Sequence, residues 1–372
     1  MENPFIVAGK IKPAYFCDRE EESARLIRQV TNGANIVIMS SRRLGKTGLI
    51  DFCFDKTEIK EHYITIFIDI LRTSSLNELI YLLGRSVFEV IGSRSQKMMK
   101  HVVATLKSIN GSFGYDPVNN TPTFNIKLGD ITNPVYTMEE IFSCIEHADK
   151  RCIIAFDEFQ QINNYPEKNI EAILRTHIQH SGNANFIFAG SERHLMSKMF
   201  QDSARPFYNS ADIMMLNPIA EDKYFAFAKG HFANAGKQLD SDAFHAVYQL
   251  FDGNTYYIQK VLHDVFTELD DNATCNMQQT DDIIRRLVAE SHHKYSMMMS
   301  RLNLPQKELL YAIAEEGHAR QITSGAFIRR HHLKSTSSVQ AALKKLMEFG
   351  LLSSEQGEYF IDDQLLRLWL NK

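Results

Sequence analysis

The chain has 372 residues, 44% of them hydrophobic and 23% charged, which excludes a disordered, collagen-like or low-complexity protein. At roughly 100 to 200 residues per domain it holds two or three domains, and 41 basic against 45 acidic side chains leave a net charge of −4, so the chain as a whole is not a polycationic nucleic-acid binder. The best apolar run, 63–71, is nine residues long and contains Asp69, well short of the roughly 18 needed to cross a bilayer.

Residues 35–39 read as a short apolar strand, followed by a polar turn and a helix over 47–56. A second strand, rich in β-branched residues, is predicted over 63–69. Leu79, Ile80, Leu83, Val87 and Val90 recur at three- and four-residue steps and predict a helix over 76–91. The segment 109–130 breaks the rhythm with Gly, Pro, Asn-Asn and an alternation of Phe124, Ile126 and Leu128, which reads as a β-hairpin insertion or a loop. Residues 152–156 and 185–189 are two more apolar strands. Strands nearly continuous in apolar residues and separated by helices imply a parallel sheet covered on both faces.

After Asn217-Pro218 the strands cease and 220–300 is helical in pattern, with helix starts at Ser241-Asp242 and at the Gly253-Asn254-Thr255 turn. Pro305 then opens a helix through Glu316. Thr323 or Ser324 caps a second that ends near His331 and His332. Ser335-Thr336-Ser337 caps a third, with Val339, Ala342, Leu343, Leu346 and Met347 on one face. Two short β segments, 350–353 and 357–361, complete a winged helix-turn-helix. The predicted domains are 1–215, 216–300 and 301–372.

The chemistry concentrates after the first strand. Ser40-Ser41-Arg42-Arg43-Leu44-Gly45-Lys46-Thr47-Gly48 lies between a strand and a helix, the context that a P-loop requires. Its backbone N–H groups and the helix N-terminus suit the phosphates of ATP or ADP. Lys46 is placed to reach the β- and γ-phosphates, and the Thr47 hydroxyl to ligate Mg²⁺. Ser40 stands where the general pattern has its first glycine, while Gly45 permits the close approach. The strand 152–156 runs into Asp157-Glu158. Asp157 is the candidate Mg²⁺ holder, and Glu158 the group that orients and polarises a water for attack on the γ-phosphate. Ser191, after the strand 185–189, is a candidate contact to both γ-phosphate and water.

An ordered set of segments carries a resemblance over nearly the whole chain. It comprises 16–26 (Phe-Cys-Asp-Arg-Glu-Glu-Glu-Ser-Ala-Arg-Leu), the Arg-Arg-Leu-Gly-Lys-Thr loop, Asp157-Glu-Phe-Gln-Gln161, Phe188-Ala-Gly-Ser191, Arg205-Pro-Phe-Tyr208, Leu216-Asn-Pro218, Gly253-Asn-Thr-Tyr-Tyr-Ile258 and the ending from Ile361 to Trp369. The chain resembles the archaeal-type ATPases of the AAA+/STAND group of P-loop NTPases, which also occur widely in bacteria. The resemblance implies an α/β P-loop sheet sandwich, a helical lid and a C-terminal winged helix whose packing follows the nucleotide state. It further implies that Phe16 and Arg19 line the adenine side and that Gly253 closes over the nucleotide. Relatives place an arginine where this chain has Ser210. Arg205, just before that segment, is thus a candidate γ-phosphate sensor or a structural ion-pair partner.

From 319 to 345 there are six basic residues and no acidic ones. Arg329, Arg330, Lys334, Ser338, Lys344 and Lys345 form a candidate surface for double-stranded DNA, with docking onto protein the equal alternative. Three functions follow: an ATPase switch of low turnover, a DNA-loading or transposition-type ATPase, and a non-hydrolysing adaptor that retains ADP. The start Met-Glu-Asn-Pro-Phe lacks the basic and apolar regions of a secretory signal. Five scattered cysteines without a CxxC pair suggest reduced thiols in a cytoplasmic protein rather than a zinc site or a disulfide framework.

Overall fold

The computed structural model describes residues 2–94, 96–106, 108, 112–116, 121–125, 131–355 and 357–372. The chain divides into two compact units. One comprises 19–41 and 45–217; the other comprises 1–18, 42–44 and 218–372.

The first unit is built on a five-stranded parallel sheet. Its strands are β1 (Ile36–Met39), β2 (Ile64–Asp69), β5 (Cys152–Asp157), β6 (Ala184–Gly190) and β7 (Asp212–Met215), in the order β2-β5-β6-β1-β7. Two strands between β2 and β5 in the chain, β3 (Ser112–Asp116) and β4 (Thr121–Asn125), pair antiparallel, the first of the two expectations of hairpin or loop, while Ile126 and Leu128 lie outside the described residues. Every residue of β1, β5 and β6 is buried, because helices cover both faces and leave no solvated side for polar alternation. β7 is the strand that the sequence pattern does not reveal. It is a four-residue edge strand with one buried side chain, so it carries no apolar run to recognise.

Register matters more than strand count here. Met39 at the end of β1 pairs with Gly190 at the end of β6, and Phe156 near the end of β5 pairs with Phe188 of β6. β6 therefore stands between the strand that feeds the phosphate loop and the strand that ends in two carboxylates. Beneath those ends Phe156, Phe159, Phe186, Phe188, Phe200 and Phe207 are almost wholly buried against one another, with Phe159 and Phe188 centroids 4.7 Å apart. Such aromatic packing makes a stiff floor for the loops above.

In the second unit, helices between Glu221–Asn234 and Met277–Glu290 bury Tyr224, Phe232, Tyr257, Val261 and Leu262 in one core. The sequence pattern there is purely helical, yet a small parallel pair, β8 (Gln238–Leu239) and β9 (Thr274–Cys275), ties two loops together. The C-terminal core holds Leu309, Leu310, Ile313, Phe327, Val339, Leu346 and Ile361. It is a winged helix: helices Leu304–Glu316, Gly325–Arg330 and Thr336–Glu348, then the wing strands β11 (Leu352–Glu355) and β12 (Glu358–Ile361). Ser324 and Ser335 are the N-caps, each accepting a backbone N–H three residues on. A third strand, β10 (His318–Arg320), and a final helix, Gln364–Leu370, add to the expected pattern. Met347 departs from the expected apolar face and is 40% exposed. The face is three positions wide per two turns, and Val339, Ala342 and Leu346 fill it.

Among the described residues no helix is long and apolar enough to cross a membrane. Cys53, Cys144, Cys152 and Cys275 are buried, and burial pushes each thiol up to about 12, which makes them poor nucleophiles.

Candidate functional site: a phosphate loop facing two carboxylates

In the first unit, β1 ends at Met39 and Ser40 is fully buried, its hydroxyl donating to the carbonyl of Ser41 at 2.8 Å. A serine thus fits the position where other P-loops have glycine. Gly45 has φ +89° and precedes the helix Lys46–Phe54 as its N-cap. This left-handed conformation suits glycine and leaves the first N–H groups of the helix without intrahelical acceptors, which is what an anion requires. Gly48 lies in the first turn of that helix.

Lys46 and Asp157 are 6% and 5% exposed, and the Thr47 hydroxyl donates to Asp157 Oδ2 at 2.6 Å. Burial pushes the Asp157 carboxyl up, and the adjacent Glu158 charge adds to this; the Thr47 hydrogen bond and the Lys46 charge oppose it. Glu158 has φ +55°, in the left-handed region, as β5 gives way to the 3₁₀ helix Phe159–Asn164. Its Oε1 is 4.0 Å from Lys46 Nζ. Its Oε2 accepts from Ser191 Oγ at 2.5 Å and from Gln160 Nε2 at 2.6 Å. Lys46, Thr47, Asp157, Glu158 and Ser191, named from sequence, therefore converge. Gln160 joins them unannounced: it sits in the Asp157–Gln161 segment, but a sequence does not disclose which way an amide points.

Thr47 and Asp157 are oxygen donors in contact with each other beside the phosphate loop, the kind of pair that suits a hard divalent cation whose remaining ligands are phosphate oxygens and water. Two other candidates in this unit have structural partners. Arg19 is 4% exposed and donates to Glu22 Oε1 and to the Asn217 carbonyl, each at 2.7 Å. Arg205 is bonded to Glu171 and Asn163, and burial raises the Glu171 carboxyl against the lowering effect of Arg205.

Arg42, Arg43 and Leu44, the middle of the loop in sequence, pack with the second unit. There Arg43 bonds the Tyr257 hydroxyl, its guanidinium 4.8 Å from the ring centre of Tyr256 and 5.1 Å from that of Tyr257. Tyr257 donates to Asp363 Oδ1 at 3.0 Å, and Tyr295 to the same oxygen at 2.9 Å; Lys294 reaches Asp363 Oδ2 at 2.9 Å. Burial alone raises Asp363, but Lys294, Tyr295 and Arg43 outweigh it and hold the carboxyl below its ordinary value. The Asn254 amide donates to the Arg42 carbonyl at 3.2 Å. Phe16 is half-buried in this same unit. Gly253, at φ +68°, has Pro218 Cβ and Tyr248 Oη each 2.8 Å from where a side chain would begin, so packing demands glycine there.

The basic stretch of the winged helix changes meaning in three dimensions. Arg329, Arg330, Lys334, Lys344 and Lys345 are exposed and Ser338 is half-buried. However, acids from outside the 319–345 window return to meet it: Arg330 and His331 pair with Glu316 at 2.7 and 2.8 Å, Lys345 with Glu348 at 2.6 Å, and Arg320 with Glu358 at 2.5 Å. Arg329, Lys334 and Lys344 form no ion pair among the described residues.

Strand order, phosphate loop and paired acids define a P-loop ATPase fold with a C-terminal winged helix. The chain belongs to the ATPase domain family found predominantly in Archaea, which matches residues 16–261, and a probable winged helix domain matches 293–372. No curated protein gives a significant match in sequence. Among solved structures the chain is similar to the Walker-type ATPase of Pyrococcus abyssi, with 18% identity, a TM-score of 0.67 and coverage of 99% of this chain and 100% of that one. It is also similar to the ORC2 protein of Aeropyrum pernix in ADPNP–ADP complexes (12% identity, TM-score 0.59, coverage 99% and 96%) and to ORC1 of the same organism in complex with DNA (12%, 0.53, 99% and 95%). At these identities the likeness is one of fold.

Proposed function

We propose that the protein is an ATP-binding switch of low turnover in which nucleotide state controls how the helical lid and winged helix pack. The observation that carries this reading is the convergence of Lys46, Thr47, Asp157, Glu158 and Ser191 at the ends of three neighbouring strands. Lys46 and the loop N–H groups hold the phosphates. Thr47 and Asp157 hold Mg²⁺, which when bound neutralises phosphate charge. Glu158 accepts the proton of the attacking water as its oxygen bonds to the γ-phosphorus and the bond to the β-phosphate oxygen breaks, giving ADP and inorganic phosphate. The switching part of the proposal draws on Arg42–Leu44, which belong to the phosphate loop in sequence but pack with the lid and winged helix.

Lys46→Ala is expected to abolish both nucleotide binding and turnover. Glu158→Gln is expected to keep binding and lose turnover by about a hundredfold or more. Wild-type turnover in Glu158→Gln would sink the role given to Glu158, and absence of turnover in the wild type with tightly retained ADP would favour the adaptor.

Duplex binding is the second reading, favoured by the exposed Arg329, Lys334 and Lys344, which lack ion-pair partners among the described residues, and by the fold shared with an ORC1 protein seen on DNA. It calls for nucleotide-dependent duplex binding that weakens steeply with salt. Unchanged binding after all three become alanine would count against this surface.

A further inference from the structure

We infer that Gln160 is a positioning residue for Glu158, one half of a two-donor clamp completed by Ser191. The inference rests on Glu158 acting on the attacking water. Gln160 is 2% exposed, and its Nε2 lies 2.6 Å from Glu158 Oε2 and 3.5 Å from Ser191 Oγ. The direction of the amide follows from chemistry, because an ionised carboxylate only accepts and the nitrogen must face it. Ser191 donates to the same Oε2 at 2.5 Å. Both donors act on one oxygen, so the carboxylate cannot rotate freely, and Oε1 is left turned toward Lys46 Nζ at 4.0 Å. That is the side on which the γ-phosphate and its water lie in the proposed reaction.

Three features show that the placement is specific. Gln160 Oε1 is buried without a hydrogen-bond partner, a desolvation cost that a purely structural site would remove by using an apolar side chain. Gly190 makes the room: a Cβ there would sit 2.6 Å from Gln160 Oε1 and 2.5 Å from Met196 Sδ. The backbone between the two side chains is fixed by Phe159, fully buried on the aromatic floor. The glutamine amide is therefore held from below and aimed at one oxygen of the acid beside the phosphate loop.

The test uses the full chain with Gln160→Met, which keeps the length of the side chain and removes the donor. The expected result is a fall in kcat of about tenfold or more, on the scale of a misplaced catalytic group, with KM for ATP and nucleotide affinity nearly unchanged. In the Glu158→Gln background the same change should cause no further loss, since a residue acting through Glu158 has nothing left to position. Should Gln160→Met fail to fold, Gln160→Asn, which keeps the amide but draws it back by one methylene, provides a second variant and is expected to lower kcat in the same non-additive way. Wild-type kcat in Gln160→Met, an equal proportional loss in both backgrounds, or an effect confined to KM overturns the clamp. Normal turnover in Glu158→Gln would instead overturn the assignment of Glu158 itself, so the two failures are distinguishable.

Discussion

Replacing Asp363 by alanine tests the link between the final helix of the winged helix and the helices that carry Tyr257 and Tyr295. This carboxylate is the N-cap of the final helix, accepts the hydroxyls of Tyr257 and Tyr295, and pairs with Lys294. The lost cap costs about 1 kcal/mol. Two buried phenols each lose the acceptor of their O–H, at about 1 kcal/mol each as a low-end value, and the Arg43 and Gln364 N–H groups, which donate to the Tyr257 oxygen, do not replace it. The Lys294 pair adds little, as the lysine is 63% exposed. The sum of about 3 kcal/mol, at about 2 to 4 °C per kcal/mol for a unit of this size, gives a drop of about 6 to 12 °C in the calorimetric transition of the second unit. Asp363→Asn retains a cap oxygen and should lose less than half as much. Because the native carboxyl is held below its ordinary value of 3.8, its contribution is present above that pH and lost as the pH falls through the native value. The gap between wild type and variant should therefore close on acidification. An Asp363→Ala transition within about 1 °C of wild type at neutral pH would refute the network's role.

Two other perturbations probe charges that sequence leaves ambiguous. His318 lies 3.6 Å from Asp252 and 3.5 Å from Glu358, and the Asp252 carboxylate first, then Glu358, raises its pKa above the ordinary 6.5. The stabilisation is full below that value and fades as the pH rises through the native pKa, so melting profiles from about pH 5 to about pH 8 should converge between wild type and His318→Gln at the alkaline end; parallel profiles would exclude this pairing. Arg205→Ala strands the Glu171 carboxylate and should cost about 1 to 3 kcal/mol, less than a fully buried pair because the arginine is 27% exposed. A double-mutant cycle with Glu171→Gln should show coupling well above about 0.5 kcal/mol, and additivity would show that the pair is energetically idle.

The apolar strands 36–39, 152–157 and 184–190, the loop from Ser40 to Thr47 and the acids Asp157-Glu158 are legible in sequence because each is a local pattern: continuous burial, a strand-to-helix turn, charge at a strand end. Local pattern also set out the winged helix, whose serine caps precede apolar periodicity. What pairs across distance is not local. β7 became a strand only by lying beside β1, and Glu316, Glu348 and Glu358 reached the basic stretch from outside it. The insertion of β6 between β1 and β5 brought Ser191 beside Glu158, and the aromatic packing under that strand end fixed Gln160 against both. Composition and spacing determined which chemical groups the chain owns. Tertiary structure decided which carboxylate oxygen is held, by what, and which faces the lysine, because hydrogen-bond direction and burial arise only once distant strands are in register.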